Sequence, residues 1–248
     1  MFENSTIGAP DHSKLTKEQL KDKKYMDHVW RTYFKLKHDE FAVGCESGSN
    51  AACTSLAEFY YIIASNNKKA ETILKPLCYN KKWPQACFWL GNVYMEGEHG
   101  VERNMSEAYK SMKIGCDNGG GQCCGFVGRM LLFGTGTEKN IDEGIEYSHD
   151  ACVHHNDGDM CQMIAQYHTG QLIGLPEDKR VLRTAAKYFK LACENNISIG
   201  CHNLSVMYKK GIGVAVNKVS EITNQIIIYI LVIGLCIFQN DALVVIEN

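Results

Sequence analysis

Apolar side chains recur at three- and four-residue intervals along most of this chain. The clearest example is Leu90, Val93 and Tyr94, which place an apolar stripe along one side of a predicted helix. Gly97 and Gly100 then interrupt the pattern, and two glycines this close together are typical of a turn. The pattern therefore predicts a short amphipathic helix, called helix A here, that ends at about Gly97.

A second helix, helix B, is predicted to begin at Asn104. Glu107 follows three residues later, and both side chains are suited to satisfying backbone N–H groups at a helix start. Ala108, Met112 and Ile114 continue the apolar face of this helix. The two helices and the turn between them form a predicted hairpin, which cannot bury its own apolar face without a neighbour.

The hairpin recurs along the chain, and the repetition predicts the fold class. A period of about 33 to 41 residues, built from two helices, is typical of an α-solenoid. The sequence therefore predicts an all-α protein of about five helix-turn-helix repeats of the tetratricopeptide type. The equivalent positions of helix A are the pairs Leu90-Gly91, Val127-Gly128, Ile164-Ala165 and Leu204-Ser205.

The two ends of the chain depart from the repeat. Residues 1–44 hold a polar segment and then an amphipathic helix, which Thr16 and Gln19 predict to start and which runs to about Lys37. We expect the repeat array to occupy residues 45–218 and an atypical hydrophobic C-terminus to occupy residues 219–248.

The C-terminal apolar run, residues 226–238, has thirteen residues without a charge and includes Cys236. A transmembrane helix needs about 20 apolar residues, so the run is short for a membrane span. Three interpretations stay open: a membrane anchor, a buried cap on the end of the solenoid, and a terminus that follows no repeat logic. We expect no membrane association except through this run.

Twelve cysteines are the unusual feature of the composition, and ten of them fall into five evenly spaced pairs. Two connectivities are open, one within hairpins, as in Cys53 to Cys78, and one across the short loops between hairpins, as in Cys78 to Cys87. The first would leave Cys45 and Cys201 unpaired, whereas the second uses all ten. The predicted disulfides are therefore Cys45–Cys53, Cys78–Cys87, Cys116–Cys124, Cys152–Cys161 and Cys193–Cys201.

Other uses of the cysteines are less well supported. Reduced thiols are common in protein cores, but five pairs at one spacing argue against that interpretation. The close Cys-x2-Cys spacing usual in structural zinc sites is absent, so no metal site is predicted. Cys123 is a spare thiol beside a glycine-rich loop, residues 119–121, and is the candidate redox-active cysteine, because such a residue needs an exposed thiolate.

The disulfides indicate an oxidising compartment, yet residues 1–12 do not look like a secretory leader. The mitochondrial intermembrane space satisfies both observations, since small helical proteins with paired cysteines are trapped there by oxidative folding. Secretion of a chain whose leader is missing or unrecognised is the alternative.

The sequence offers little enzyme chemistry. No nucleophile elbow, phosphate loop or Ser-x-x-Lys motif is present, so a serine beta-lactamase would lack a nucleophile. The formal net charge of -2 gives no broad basic surface for nucleic acid. His154 and His155 lie in a polar segment predicted to be at the surface. His168 and His202 are candidate haem ligands, because they lie on helix A and could reach a groove between hairpins.

A concave groove is the predicted functional surface, because stacked helical repeats commonly bind a partner protein or peptide there. We expect side chains of helix A to line it. The candidate groove residues are Tyr94, Arg129, Gln166 and Tyr208.

The cysteine-closed hairpins, of which LGNVYMEGEHGVERNMSEAYKSMKIGC is the best example, resemble Sel1-like repeats of the cysteine-rich Hcp-like beta-lactamase family. Within that family the layout is similar to the branch of animal cytochrome c oxidase assembly factors. The shared features are a glycine-poor first hairpin, residues 53–78, and a cysteine at every joint between repeats. The resemblance covers about residues 25–218, and the expected fifth helix B is missing after Asn217.

The resemblance implies a soluble protein of the mitochondrial intermembrane space that helps to assemble cytochrome c oxidase, respiratory complex IV, as a protein-binding scaffold. Its partner would be a protein of oxidase or copper-chaperone assembly. Haem binding and action on disulfides of copper chaperones are further properties that the resemblance implies. The alternative is a secreted Hcp-like protein with beta-lactamase-type or host-interaction activity.

Overall fold

The structure of the protein is a computed structural model, and it describes residues 7–11, 13, 15–172 and 181–215. All regular elements in these ranges are helices, which confirms the predicted all-α class. They are α1 (Lys17–Lys21), α2 (Lys23–Glu46), α3 (Asn50–Ile62), α4 (Asn67–Tyr79), α5 (Pro84–Glu96), α6 (Met105–Asp117), α7 (Gly121–Phe133), α8 (Ile141–His154), α9 (Gly158–Thr169), α10 (Leu182–Glu194) and α11 (Ser198–Lys210).

The chain divides into two compact units between Asn118 and Gly119. The first unit contains α1 to α6, and the second contains α7 to α11. Within each unit, helices that follow one another in the chain pack against one another. The predicted hairpins are present as α3–α4 and α5–α6 in the first unit, and as α7–α8 and α9–α10 in the second.

Helix B begins at an asparagine in three hairpins. The Asn66 side chain accepts a hydrogen bond from the backbone N–H of Lys69 at 3.1 Å. Asn104 accepts one from Glu107 at 3.0 Å, which confirms the predicted helix start. Asn140 does the same at the start of α8. Each cap satisfies a backbone N–H that has no partner inside its helix.

Helix A ends at a glycine in three of the hairpins, and α11, the helix A that follows them, ends in the same way. Gly97 has a φ of 65°, in the left-handed region that glycine adopts without a steric penalty. Its N–H donates to the carbonyl of Val93. The other glycines that end a helix A in this conformation are Gly134, Gly170 and Gly211.

The N-terminal helix is longer than predicted. Thr16 and Gln19 form the predicted capping box, but the helix that they start, α1, ends at Lys21. Asp22 caps a second helix, α2, which continues to Glu46. The predicted end at about residue 37 is therefore wrong.

Burial explains why α2 continues. Phe41 lies four residues beyond the predicted end and is buried against Leu56 and Phe59 of α3. Ile7 joins the same cluster, and its carbonyl accepts a hydrogen bond of 2.6 Å from the Tyr33 hydroxyl. Apolar contacts with α3 thus hold the last two turns of α2 in helical form.

Disulfides join the end of one helix to the start of the next, as the sequence predicted. In the first unit, Cys45 of α2 is bonded to Cys53 of α3. The remaining pairs described within a unit are Cys78–Cys87, Cys152–Cys161 and Cys193–Cys201. Cys116 and Cys124 lie in different units and are each disulfide-bonded, and their pairing with one another stays a prediction.

No helix in the part of the chain that the structure describes is long and apolar enough to cross a bilayer. The predicted C-terminal segment, residues 219–248, lies outside the described residues together with its apolar run and Cys236.

Candidate functional site

The first unit contains a polar cleft of about 570 Å³, formed by α4, the end of α5, α6 and the loop that precedes α6. We call it the polar cleft. Basic, acidic and tyrosine side chains dominate its lining. Its described lining residues are Lys68, Glu71, Lys75, Tyr79, Tyr94, Gly100, Val101, Glu102, Arg103, Asn104 and Glu107.

Glu71 lines the polar cleft, with a side chain that is 7% exposed. Its carboxylate accepts hydrogen bonds from Lys68 at 2.8 Å, Lys75 at 2.7 Å and the Tyr94 hydroxyl at 3.1 Å. Burial by itself would raise the pKa of Glu71, but these three donors outweigh it and lower the pKa below its ordinary value. The carboxylate is therefore ionised at neutral pH and fully paired.

Tyr79 and Glu107 form a second hydrogen-bonded group in the polar cleft. The Tyr79 hydroxyl donates to Glu107 at 2.7 Å and lies 3.2 Å from the Ser111 hydroxyl. The Lys110 ammonium lies 5.0 Å from the centre of the Tyr79 ring, within the range of a cation–π interaction. Burial raises the pKa of Tyr79, so its hydroxyl keeps its proton and remains a donor.

Tyr94 therefore does not lie where the groove prediction placed it. It is 5% exposed, and burial raises its pKa. Its hydroxyl faces Glu71 of α4, a helix B, instead of an open groove of helix A. The prediction of Tyr94 as a groove residue is wrong, because the end of helix A turns this side chain toward α4, the preceding helix of its own unit.

Three half-buried aromatic side chains lie together on helices α3 and α5 of the first unit. The rings of Tyr61 and Trp89 are 5.6 Å apart, and those of Phe88 and Trp89 are 5.3 Å apart. We call Tyr61, Phe88 and Trp89 the aromatic patch. Burial, and then a hydrogen bond with Glu96, raise the pKa of Tyr61, so it also stays protonated.

The second unit holds the other three predicted groove residues in separate settings. Arg129 is exposed and stacks over the Phe126 ring, 4.7 Å from its centre. Gln166 is half-buried on α9. Tyr208 lines a cleft of about 370 Å³, which also includes Arg183, Lys187 and Lys190 of α10. The groove as a common surface of these residues stays a prediction.

The prediction of Cys123 as a redox-active cysteine is corrected by the structure. The residue is 1% exposed, and burial raises the pKa of its thiol to about 12. A redox-active cysteine needs an accessible thiolate, and Cys123 offers neither the access nor the charge. The prediction assumed that the neighbouring glycines keep this segment at the surface, but Cys123 lies in the first turn of α7 and faces the core.

The two candidate haem ligands lie in different environments. The His168 ring stacks on Tyr188 with centroids 6.1 Å apart, and it meets Tyr167 edge-on at 5.2 Å. The Tyr188 hydroxyl in turn lies 2.6 Å from Nδ1 of His149. His202 is exposed on α11. His168 thus belongs to an aromatic packing cluster, and neither cleft described above is lined by a histidine.

His154 and His155, predicted to be at the surface, are both exposed at the end of α8. His155 is nonetheless in contact with other groups. Its Nε2 lies 3.6 Å from the Asp150 carboxylate, and its ring occupies the space over Gly121 where a Cβ would lie 2.2 Å from Cγ.

Sequence reasoning missed the ion-pair cluster around Glu71. A signal for part of it exists, because Lys68, Glu71 and Lys75 are spaced i, i+3 and i+7 along one helix. The burial of Glu71 and the bond from Tyr94 have no such signal, since both depend on how α5 packs against α4.

A scan against protein-family models matches the Sel1 repeat in four segments of the chain. They are residues 84–119, 122–152, 164–197 and 198–219. Their positions agree with the helical hairpins that begin at α5, and the last match extends past residue 215, where the described residues end.

Curated relatives share one name. Cytochrome c oxidase assembly factor 7A of Xenopus laevis is 28% identical over 219 residues, covering 84% of this chain and 87% of the relative. Cytochrome c oxidase assembly factor 7 of Xenopus tropicalis is 29% identical, covering 70% of this chain and 76% of the relative. The similarity therefore extends over most of both proteins.

Among solved structures, the antigen c5321 of uropathogenic Escherichia coli, which displays an SLR fold, is similar with a TM-score of 0.67. It is 21% identical, and the match covers 75% of this chain and 39% of the antigen. This likeness concerns the fold alone. The matched family model, the repeated hairpins and the disulfides at their joints agree with one another: the chain belongs to the Sel1 repeat family.

Proposed function

We propose that this protein acts in the mitochondrial intermembrane space as a protein-binding scaffold in the assembly of cytochrome c oxidase. The relatives support a role in this assembly process, because they are named cytochrome c oxidase assembly factors and the similarity covers most of their length. The aromatic patch carries the binding role. Repeat proteins of stacked helices commonly bind their partners through an extended surface built from several repeats.

The disulfides support the proposal that the protein acts in an oxidising compartment. Ten cysteines of the described residues are disulfide-bonded. Disulfides form and persist in oxidising compartments and are rare in the cytosol, where thiols are kept reduced. The mitochondrial intermembrane space, where helical proteins with paired cysteines are trapped by oxidative folding, meets this requirement.

The aromatic patch has the composition of a protein interface. Tyrosine, tryptophan and phenylalanine are enriched in interface cores, because each removes a large rigid surface from water at a small cost in side-chain entropy. Tyr61, Phe88 and Trp89 are each partly accessible, and they come from two helices linked through α4. The partner would be an oxidase subunit or a copper chaperone that presents an apolar face.

The test is affinity purification of the tagged chain from mitochondria, with oxidase subunits and assembly proteins quantified by mass spectrometry. We expect these proteins to be enriched, and Trp89→Ala to lower their recovery at least about tenfold, as for an interface hot spot. The matched control is Phe133→Ala, since Phe133 is another apolar residue, 44% exposed, in the second unit. No enrichment of oxidase proteins would refute the proposal. An equal loss of recovered oxidase proteins in Trp89→Ala and Phe133→Ala would refute the aromatic patch as the binding surface.

Localisation has its own test. Protease protection of fractionated mitochondria, with non-reducing peptide mapping of the recovered protein, reports compartment and oxidation together. We expect the protein to be protected until the outer membrane is opened, and we expect its ten paired cysteines to be oxidised. Recovery from the culture medium instead would favour the secreted, Hcp-like alternative with beta-lactamase-type or host-interaction activity.

The scaffold proposal uses neither haem nor a redox-active thiol. His168 stacks on Tyr188 and His202 is exposed, and neither lines the polar cleft or the cleft beside Tyr208. The buried Cys123 thiol likewise gives no support to thiol–disulfide exchange. A haem titration followed by absorption spectroscopy, with His168→Ala and His202→Ala, is the direct check of the remaining prediction.

A further inference from the structure

Three side chains with metal-binding atoms converge in the second unit. One sulfur of Cys124, one carboxylate oxygen of Asp150 and one ring nitrogen of His155 all lie within 4.8 Å of one another. In the part of the chain that the structure describes, no other group of three such residues meets this spacing. The sequence did not indicate the group, because its members come from two helices.

Two adjacent helices create this arrangement. Cys124 lies in the first turn of α7, whereas Asp150 lies in the last turns of α8 and His155 follows directly after that helix. Gly121 lets the two ends approach, since a side chain there would overlap the His155 ring at 2.2 Å. Asp150 and His155 already face one another, with 3.6 Å between Oδ2 and Nε2.

The oxidation state of Cys124 decides whether these atoms can hold a metal. Cys124 is disulfide-bonded in this structure, and a disulfide sulfur lacks the negative charge of a thiolate ligand. A dithiol reductant would supply two electrons and two protons, which opens the disulfide to two thiols and leaves the reductant as its own disulfide. Metal binding would then release the Cys124 proton to solvent.

We propose that opening the disulfide of Cys124 creates a zinc site formed by Cys124, Asp150 and His155. Thiolate, imidazole and carboxylate are all ligands of Zn²⁺, and three protein ligands with one water complete its tetrahedral geometry. The metal would tie the start of α7 to the end of α8 within the second unit. Cys124 therefore serves in a disulfide when it is oxidised and as a zinc ligand when it is reduced.

The test uses Cys116→Ser, because Cys116 is the predicted disulfide partner of Cys124 and its removal would leave the Cys124 thiol reduced without any reductant. Zinc is titrated into this variant, and Co²⁺ replaces it for spectroscopy. We expect one equivalent of zinc and a sulfur-to-cobalt charge-transfer band, which appears only when a thiolate binds the metal. The oxidised wild-type protein is expected to bind no zinc at this position.

Second substitutions in the Cys116→Ser background identify the ligands. We expect His155→Ala and Asp150→Asn each to weaken zinc binding at least about tenfold, and Cys124→Ser to abolish the charge-transfer band. His154→Ala is the matched control, because His154 is the neighbouring exposed histidine and is outside the group. Binding that survives His155→Ala, or no binding in Cys116→Ser, would overturn the proposal.

A second preparation guards against a folding defect in the variant. The wild-type protein is treated with a limiting amount of dithiol, and differential alkylation with mass spectrometry identifies which cysteines are reduced. Zinc binding is expected to rise in proportion to the reduced fraction of Cys124. Binding that follows the reduction of another cysteine instead would count against the site.

Discussion

Two hairpins with the same signature in helix A pack in different ways. In α5–α6 of the first unit, a Cβ at Gly91 would lie 2.6 Å from Cε of Met112, the far end of a flexible side chain. In α7–α8 of the second unit, a Cβ at Gly128 would lie 2.5 Å from Oγ of Ser148, and it would also meet backbone, with the nitrogen of Ser148 at 2.8 Å and the carbonyl oxygen of Gly144 at 3.0 Å. At this position the helices of the first hairpin are in contact through a side chain, whereas those of the second also approach one another's backbone.

The difference comes from helix B. Ala108 and Met112 of α6 occupy the repeat positions that Gly144 and Ser148 occupy in α8, since each lies four or eight residues after the capping asparagine. Small residues on both helices remove the side chains that would keep the axes apart. A repeat signature thus tells where two helices meet, and the facing residues determine how closely.

The largest expected effect separates the two hairpins directly. Gly128→Ala forces a methyl group against backbone that cannot rotate away, and we expect it to cost about 3 kcal/mol of stability. Gly91→Ala displaces only the end of Met112 and regains helix propensity, so we expect a change of less than about 1 kcal/mol. Urea denaturation followed by circular dichroism compares the two, and equal losses would contradict the difference in packing.

The disulfides should not distinguish the units. Cys78–Cys87 in the first and Cys152–Cys161 in the second each span a sequence separation of 9. Replacing either pair by serines is expected to cost about 2.5 kcal/mol, since the chain-entropy model depends on loop length alone. Clearly unequal losses in denaturation experiments would show that local packing contributes to the effect of the disulfide.

A smaller effect concerns one position of helix A. It lies four residues after Leu90 in α5, where it is Tyr94, and four residues after Ile164 in α9, where it is His168. In the first unit it meets the buried carboxylate of Glu71. Glu71→Gln leaves two lysines and a hydroxyl without an anionic acceptor, and we expect it to cost about 2 kcal/mol. Asp117→Asn, which breaks the exposed ion pair with Lys113, is the control and should cost less than about 0.5 kcal/mol.

The same network predicts a pH dependence. Because the folded-state pKa of Glu71 lies below its ordinary value of 4.5, the stabilisation is present above the pKa of the unfolded chain. It is lost as the pH falls through the lower, folded-state pKa. Stability measured from pH 6 downward should therefore decline less steeply in Glu71→Gln than in the wild-type protein, and parallel profiles would argue against an ionised Glu71.

The smallest effect is expected at the equivalent cluster of the second unit. Tyr188→Phe removes the hydroxyl that lies 2.6 Å from Nδ1 of His149 and keeps the ring that stacks on His168. Because His149 is exposed, water replaces the lost partner, and we expect about 0.5 kcal/mol of destabilisation. If Tyr188→Phe lowered the stability as much as Glu71→Gln, the cluster of Tyr188, His149 and His168 would depend on its hydrogen bond as strongly as the network around Glu71 does.

Local signals predicted the helices well and the site poorly. The caps at Thr16 and Asn104 and the stop at Gly97 act within one helical turn, so they could be recognised from adjacent residues. The end of α2 was misplaced because Phe41 is held by contacts with another helix. Cys123 was expected at the surface for the same reason, since only the packing of α7 shows that it faces inward.

The amino-acid sequence alone determined the helical repeat, the helix boundaries set by asparagine and glycine, and the pairing of cysteines across short loops, because each is a regular feature of neighbouring residues. Only the tertiary structure decided which side chains meet: Tyr94 with Glu71, His155 with Asp150 and Gly128 with the backbone of α8. These contacts depend on the distance and rotation between helices, which the residues of both helices set together.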